Sequence, residues 1–179
     1  MKITGGKFNS RKIDAPDESL TRPTLSKVRM GVFNTLKSIV LDYENLKFLD
    51  LFGGSGIMGL EAISRGFKQV LVFEKNYKVA SIIKNNYKNL GIKADLKVGD
   101  SLKLISKLNE TFDVIYIDPP YKSGIYEEVL ELIKPILKTT SVIICESDEN
   151  LNIPEEYFLI KQKVYGGKII SYYSIKTTS

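Results

Sequence analysis

The tetrapeptide Asp118-Pro119-Pro120-Tyr121 closes an apolar run, FDVIYI, and its residue types point to one kind of chemistry. Two prolines remove two N–H donors and stiffen the loop. The Asp118 carboxylate and the Pro119 carbonyl remain as acceptors held in a fixed direction. An exocyclic amino group on a base needs such a grip, because its lone pair is delocalised into the ring. Acceptors on its hydrogens favour a pyramidal nitrogen whose lone pair can attack an electrophilic methyl carbon. Catalysis then comes mainly from positioning and from excluding water. Tyr121 offers a face on which a flipped base can stack. Taken alone, a proline-rich turn of this kind occurs in proteins of any function.

A second group of residues lies at 48–60, FLDLFGGSGIMGL. Glycines between a strand and a helix let a ligand approach the backbone, and the helix start offers free N–H groups. Gly54-x-Gly56-x-x-Gly59 also matches the dinucleotide fingerprint, but the same turn serves other nucleosides. Asp50, just before the glycines, would repel a pyrophosphate and attract a ligand that carries positive charge. S-Adenosylmethionine carries an ammonium and a sulfonium and no phosphate. Glu74, 15 residues after Gly59, suits ribose hydroxyls, and Asp100-Ser101 is placed to reach an adenine edge. The plain alternative is a structural strand-turn-helix with solvated acids at strand ends.

These residues need elements to hold them. Short, nearly continuous apolar runs occur at Phe48–Phe52, Val70–Phe73, Val114–Ile117 and Val142–Cys145, with a weaker one at Ala94–Val98. Runs that do not alternate predict strands buried on both faces, as in a parallel sheet. Val79, Ile82, Ile83, Tyr87 and Leu90 repeat at helical spacing, as do Tyr126, Val129, Leu130 and Ile133 before Pro135. A further helix is expected up to about Val40, capped by Thr24 or Ser26, with Val28, Val32, Leu36 and Ile39 on one face. Alternation of strand and helix predicts a doubly wound α/β sheet. Tyr157–Val164, Gly166-Gly167 and Lys168–Ile175 predict an antiparallel hairpin at its edge. Residues 2–4 and 11–14 read as two short strands around Gly5-Gly6, and Pro16 to Pro23 as a linker.

Composition narrows the chemistry. The 179 residues suit one domain or one domain with a small appendage. There is no histidine, which excludes a Ser-His-Asp triad, a histidine base and any histidine metal ligand. One cysteine, Cys145, excludes an intramolecular disulfide and a Cys-only zinc site, and fits a reducing cytoplasm. No apolar run approaches bilayer length, and the start holds no apolar stretch for secretion. Residues 1–29 carry 7 basic and 3 acidic side chains, against 19 and 18 in the remainder. Almost all of the net charge of +5 therefore sits in the first sixth of the chain. That predicts either a nucleic-acid arm or a solvated basic face.

The glycine loop with Asp50 resembles motif I of class I S-adenosylmethionine-dependent methyltransferases. Asp118–Tyr121 resembles the (Asp/Asn)-Pro-Pro-(Tyr/Phe) motif of those that methylate exocyclic or amide nitrogens. ITGGKFNSRKI, TRPTLSKVRMGVFN and LDLFGGSGIMGLEAISRG resemble the RsmD family of bacterial 16S rRNA (guanine-N2)-methyltransferases, as do CESD and YGGKIISYY further on. The resemblance spans essentially the whole chain.

It implies a Rossmann-like class I methyltransferase fold. That fold has a mostly parallel seven-stranded sheet, helices on both faces, an antiparallel C-terminal hairpin and a small N-terminal β-hairpin/helix extension. It also implies an RNA-binding extension over residues 1–24 and a methyltransferase domain over 25–179. Asp50, Phe52, Gly53, Gly54, Ser55 and Gly56 would hold the methionine end of S-adenosylmethionine. Glu74 and Lys75 would serve the ribose, Asp100 and Ser101 the adenine, with Asp118 lining the same pocket. Asp118, Pro119, Pro120 and Tyr121 would hold the guanine amino group, and Lys7, Arg11, Arg22, Lys27, Arg29 and Asn34 would face RNA. The implied substrate is 16S rRNA in the small ribosomal subunit or an assembly intermediate, acted on by a cytoplasmic monomer without metal. Met30-Gly31, Gly54 and Gly167-Lys168 depart from the usual family residues. The rivals are a DNA adenine-N6 methyltransferase, a protein-glutamine methyltransferase, a nicotinamide oxidoreductase and a non-catalytic RNA-binding module. The first usually needs a target-recognition region, yet only 58 residues follow Tyr121. The second usually carries Asn at the Asp118 position, Asp50 disfavours the third, and two intact motifs argue against the fourth.

Overall fold

The computed structural model describes residues 1–17, 19–20, 24–93, 95–120 and 124–176. Helix α1 (Ser26–Val40) leads into strand β1 (Lys47–Asp50), α2 (Ile57–Ser64), β2 (Gln69–Glu74), α3 (Tyr77–Asn89) and β3 (Asp95–Val98). Then come α4 (Ser101–Ile105), β4 (Phe112–Ile117), α5 (Ile125–Ile133), β5 (Leu137–Ser147), β6 (Tyr157–Tyr165) and β7 (Lys168–Ile175). The seven strands lie in the order β3-β2-β1-β4-β5-β7-β6. β1 to β5 pair in parallel, while β7 runs antiparallel to both β5 and β6. Strand order reverses between β1 and β4, and a doubly wound sheet opens a crevice at that point.

The apolar runs fill two cores, one on each sheet face. Val28, Val32 and Leu36 of α1, Leu60 of α2 and Ile83 of α3 pack over Phe48, Val72, Val114 and Ile144. Val129, Leu130 and Ile133 of α5 and Ile105 of α4 pack over Leu49, Leu71, Ile115 and Ile143. All six residues of β4 are buried, so the strand cannot alternate. Cys145 packs in the second core, and burial pushes its thiol up. Among the described residues, no helix is long and apolar enough to cross a membrane.

Several local expectations need correction. Neither Thr24 nor Ser26 caps α1; its N-cap is Leu25, with no side-chain bond. The two N-terminal strands shrink to one bridge, Lys2 to Lys12, with Ile3 and Ile13 buried against the α1 side of the core. β5 begins five residues before its apolar run, because its first half exposes Thr139 and Thr140. β3 is a sheet edge, which accounts for its weak apolar signal.

Gly31 sits in mid-helix for a packing reason. A Cβ there would come within 2.6 Å of the Tyr165 ring of β6. The Tyr165 hydroxyl lies 3.1 Å from Thr35 Oγ1, one turn further along α1. β6 is the outer strand, and it exposes Phe158, Leu159, Ile160 and Val164 beside Lys161 and Lys163.

Candidate active site

Four carboxylates end four neighbouring strands: Glu74 on β2, Asp50 on β1, Asp118 just past β4 and Glu146 on β5. Register sets their spacing. Asp50 is level with Tyr116, Tyr116 with Ile144, and Ile117 with Cys145, so Asp118 and Glu146 are neighbours one step higher.

Asp50 is 1% exposed. One carboxylate oxygen accepts the Phe52 N–H at 3.3 Å, and Oδ2 has no partner. Burial, aided by the nearby Glu74 charge, pushes this acid up to about 7. Glu74 fastens the glycine loop, because its Oε2 accepts the Gly54 N–H at 2.8 Å and its Oε1 accepts the Asn76 N–H at 2.7 Å. Burial raises its pKa against the pull of these bonds. Gly53 N–H donates to the Phe73 carbonyl at 2.7 Å, which ties the loop to β2. Gly56 has φ +74, in the region that favours glycine, and opens α2. Gly59 serves helix–sheet packing, since a Cβ there would meet Val72 at 2.5 Å.

The other residues expected on the cofactor side follow β1, β2 and β3 in the chain. Phe52 is half-buried, Ser55 buried and Lys75 exposed. Asp100 caps α4 through the Lys103 N–H at 3.2 Å. The buried Ser101 hydroxyl donates to the Leu51 carbonyl at the end of β1, which leaves its oxygen as an acceptor.

Asp118 is half-buried. Desolvation and the neighbouring Glu146 charge push it up to about 8, with Lys168 opposing and Asp50 and Asp148 adding to the rise. Pro119 is half-buried and Pro120 exposed, while Tyr121 lies outside the described residues. Glu146 is the site residue that the sequence reading missed. Its carboxylate accepts the Tyr116 hydroxyl from one sheet face, and its carbonyl accepts the Tyr126 hydroxyl at 2.5 Å from the other. Burial and the surrounding carboxylates push the Tyr116 phenol far up. The available signal was an acid directly after an apolar run. Lys168 pairs with Asp148 at 2.7 Å. Among the described residues, no group of three or more acids or cysteines is arranged to hold a metal ion.

The basic residues divide. Lys7, Arg11 and Lys27 are exposed, and Arg22 lies outside the described residues. Asn34 is exposed but stands far from the strand C-termini, in a cleft of about 480 Å³ with Lys37, Tyr43 and Arg65. Arg29 does not face solvent, which corrects its assignment to RNA. It is 2% exposed, and its Nε donates to Glu61 at 2.9 Å. Its other nitrogens hold the Lys2 carbonyl at 2.7 Å, the Ser26 hydroxyl at 3.1 Å and the Thr24 carbonyl. Glu61 is fully buried and also accepts the Thr4 N–H at 2.9 Å and a bond from Arg65. The sign of burial was legible: Val32, Phe33 and Leu36 follow Arg29 at helical spacing.

A family model described as Conserved hypothetical protein 95 matches residues 1–174. The Ribosomal RNA small subunit methyltransferase D of Escherichia coli (strain K12) is 30% identical over 172 residues, covering 93% of this chain and 85% of that protein. The solved structure of yhhF from Escherichia coli superposes with a TM-score of 0.85 at 25% identity, covering 99% of both chains. The solved ribosomal protein L11 methylase from Lactobacillus delbrueckii subsp. bulgaricus shares the fold, with a TM-score of 0.68 at 17% identity over 95% of this chain and 89% of that one.

Proposed function

The chain belongs to the Conserved hypothetical protein 95 (RsmD) family, and from that membership and the acids at its strand ends we propose that it methylates the exocyclic N2 of a guanine in 16S rRNA. It has the Rossmann-like class I methyltransferase fold. The observation that carries the reading is Asp50 Oδ2, a buried carboxylate oxygen without a partner at the end of β1, one strand from Asp118. Such an atom is costly unless a ligand satisfies it. A cationic ligand suits this atom, and a phosphate does not.

Asp50 and the glycine loop would take the methionine end of S-adenosylmethionine, Glu74 and Lys75 the ribose, and Asp100 and Ser101 the adenine. When bound, the cofactor would supply a sulfonium methyl for transfer to N2, with S-adenosylhomocysteine as the leaving group. Asp118 and the Pro119 carbonyl would grip the amino hydrogens of a flipped guanine and aim the lone pair, with Tyr121 beneath the ring. The methylated amine is cationic until it loses a proton, and Asp118 in its ionised form would be within reach to take it. Lys7, Arg11, Arg22 and Lys27 would meet rRNA phosphates. The acceptor is a small ribosomal subunit or its assembly intermediate, and the enzyme a cytoplasmic monomer.

The test is transfer of labelled methyl to unmodified small subunits, with free rRNA and double-stranded DNA in parallel. Label recovered as N2-methylguanosine supports the reading. Label recovered in DNA as N6-methyladenine overturns it.

A further inference from the structure

Glu146 is buried beside the amino-gripping acid, and no step of the methyl transfer yet uses it. Resting on the guanine-N2 reading, we propose that Glu146 accepts the guanine N1–H next to Asp118 and so selects guanine over bases that lack this donor.

The geometry supports this in three ways. First, β4 and β5 are parallel neighbours in register, about 4.8 Å apart, and Asp118 and Glu146 follow the Ile117–Cys145 pair on the same side of the sheet. Secondly, the side chain is held rather than merely enclosed. Tyr116 bonds its carboxylate and Tyr126 its carbonyl, one phenol from each face of the sheet. A buried carboxylate is expensive, and Tyr116 holding its oxygen while Tyr126 holds the backbone beneath it makes a preorganised acceptor beside Asp118. Thirdly, the next strand in the sheet brings a cation. Lys168 on β7 opposes the Asp118 charge and pairs with Asp148.

The base edge follows the same order. Guanine presents the N2 amino donors, then the N1–H donor, then the O6 acceptor. Across β4, β5 and β7 the protein presents Asp118, Glu146 and Lys168: acceptor, acceptor, donor. Two carboxylate oxygens offer about four lone-pair directions, so accepting the Tyr116 hydroxyl does not by itself saturate Glu146. An ammonium with three donors can likewise serve both Asp148 and O6. Adenine presents a lone pair at N1, which a carboxylate repels. Accepting the N1–H also pushes electron density into the ring and onto N2, the attacking atom.

The experiment uses substrate RNA with either guanine or 2-aminopurine at the acceptor position. 2-Aminopurine keeps the 2-amino group but has a lone pair at N1 and no O6. The intact protein should favour guanine by about 10- to 100-fold in kcat/KM, the usual effect of one unmatched buried polar contact. Glu146→Gln offers an N–H to that N1 and should bring the ratio towards one, mainly by losing guanine. 2-Aminopurine brightens when unstacked, so its entry into the pocket is also read without turnover, and it should be larger for the variant. Unchanged binding of S-adenosylhomocysteine would show that the variant is folded. Equal use of both bases by the unaltered protein overturns the assignment, and so does a folded variant that keeps the original ratio. Should Glu146→Gln fail to fold, equal use of the two bases by the unaltered protein still overturns the assignment. Absence of N2-methylguanosine with the unaltered protein would instead overturn the underlying guanine reading.

Discussion

Asp50 is buried and Asp118 half-buried, both at strand ends, yet they are assigned opposite sides of the reaction. Replacing Asp118 with alanine removes the grip on the amine and leaves the glycine loop and Asp50 in place. Turnover should fall by at least about 100-fold, the usual loss when a reacting group is mispositioned. Affinity for S-adenosylhomocysteine, measured by calorimetry, should stay nearly unchanged; loss of that binding would place Asp118 in the cofactor pocket. Arg29 teaches the converse. Its type and its basic neighbourhood pointed to RNA, while its position one turn before Val32, Phe33 and Leu36 pointed inward, and position prevailed. Arg29→Ala leaves the fully buried Glu61 short of a partner, which typically costs about 3–5 kcal/mol. Chemical denaturation should show that loss. Glu74 and Asp118 were legible because each follows an apolar run directly, and Asp50 because it stands just before the glycine loop. Glu146 follows one too, but neither a glycine loop nor a proline pair comes after it to mark a site.

At the scale of elements, periodicity disclosed the strands and helices, and contacts between distant elements stayed hidden. The glycine in α1 illustrates this, since within its own helix Gly31 only weakens the structure. Its reason is the Tyr165 ring, 134 residues away in sequence and packed where a Cβ would stand. Gly31→Ala should therefore destabilise the protein by about 1–2 kcal/mol through overpacking. In a Tyr165→Ala background the same change should stabilise it by about 0.5–1 kcal/mol, the ordinary gain of alanine over glycine in a helix. A double-mutant cycle of denaturation midpoints checks the sign reversal. The N-terminal segment was legible in the same partial way. Its turn was read from Gly5-Gly6, but Ile3 and Ile13 bind it to the core more closely than two free strands would suggest.

The whole molecule carries an electrostatic load that a histidine-free chain makes easy to measure. Asp50 and Asp118 are lifted from the usual 3.8 to about 7 and about 8 by burial. In that interval the folded chain keeps protons that the unfolded chain has released. Stability is therefore greatest at low pH within the window and is lost as pH rises through the folded values. Glu110 and Glu156 shift downward and act at more acidic pH. The melting temperature should fall by several degrees between pH 5.5 and 8, and S-adenosylmethionine should reduce the fall by compensating the ionised acids. A flat or rising profile would remove buried acids as the dominant charge term. Doubly wound topology and the terminal hairpin were legible from pattern, while the strand order was not. This slope was not, because it depends on how deeply the strand ends lie beneath α1, α2 and the loops.

The outer strand β6 has one more consequence. An open strand edge with exposed Phe158, Leu159, Ile160 and Val164 is a template on which identical chains can polymerise. Two features spoil that template. The register shift between Leu159 and Lys161 breaks the straight row of backbone donors and acceptors. Lys161 and Lys163 would face their own counterparts in an antiparallel self-pairing, so that each added copy brings like charges together. The chain thus keeps an apolar rim exposed without becoming self-templating.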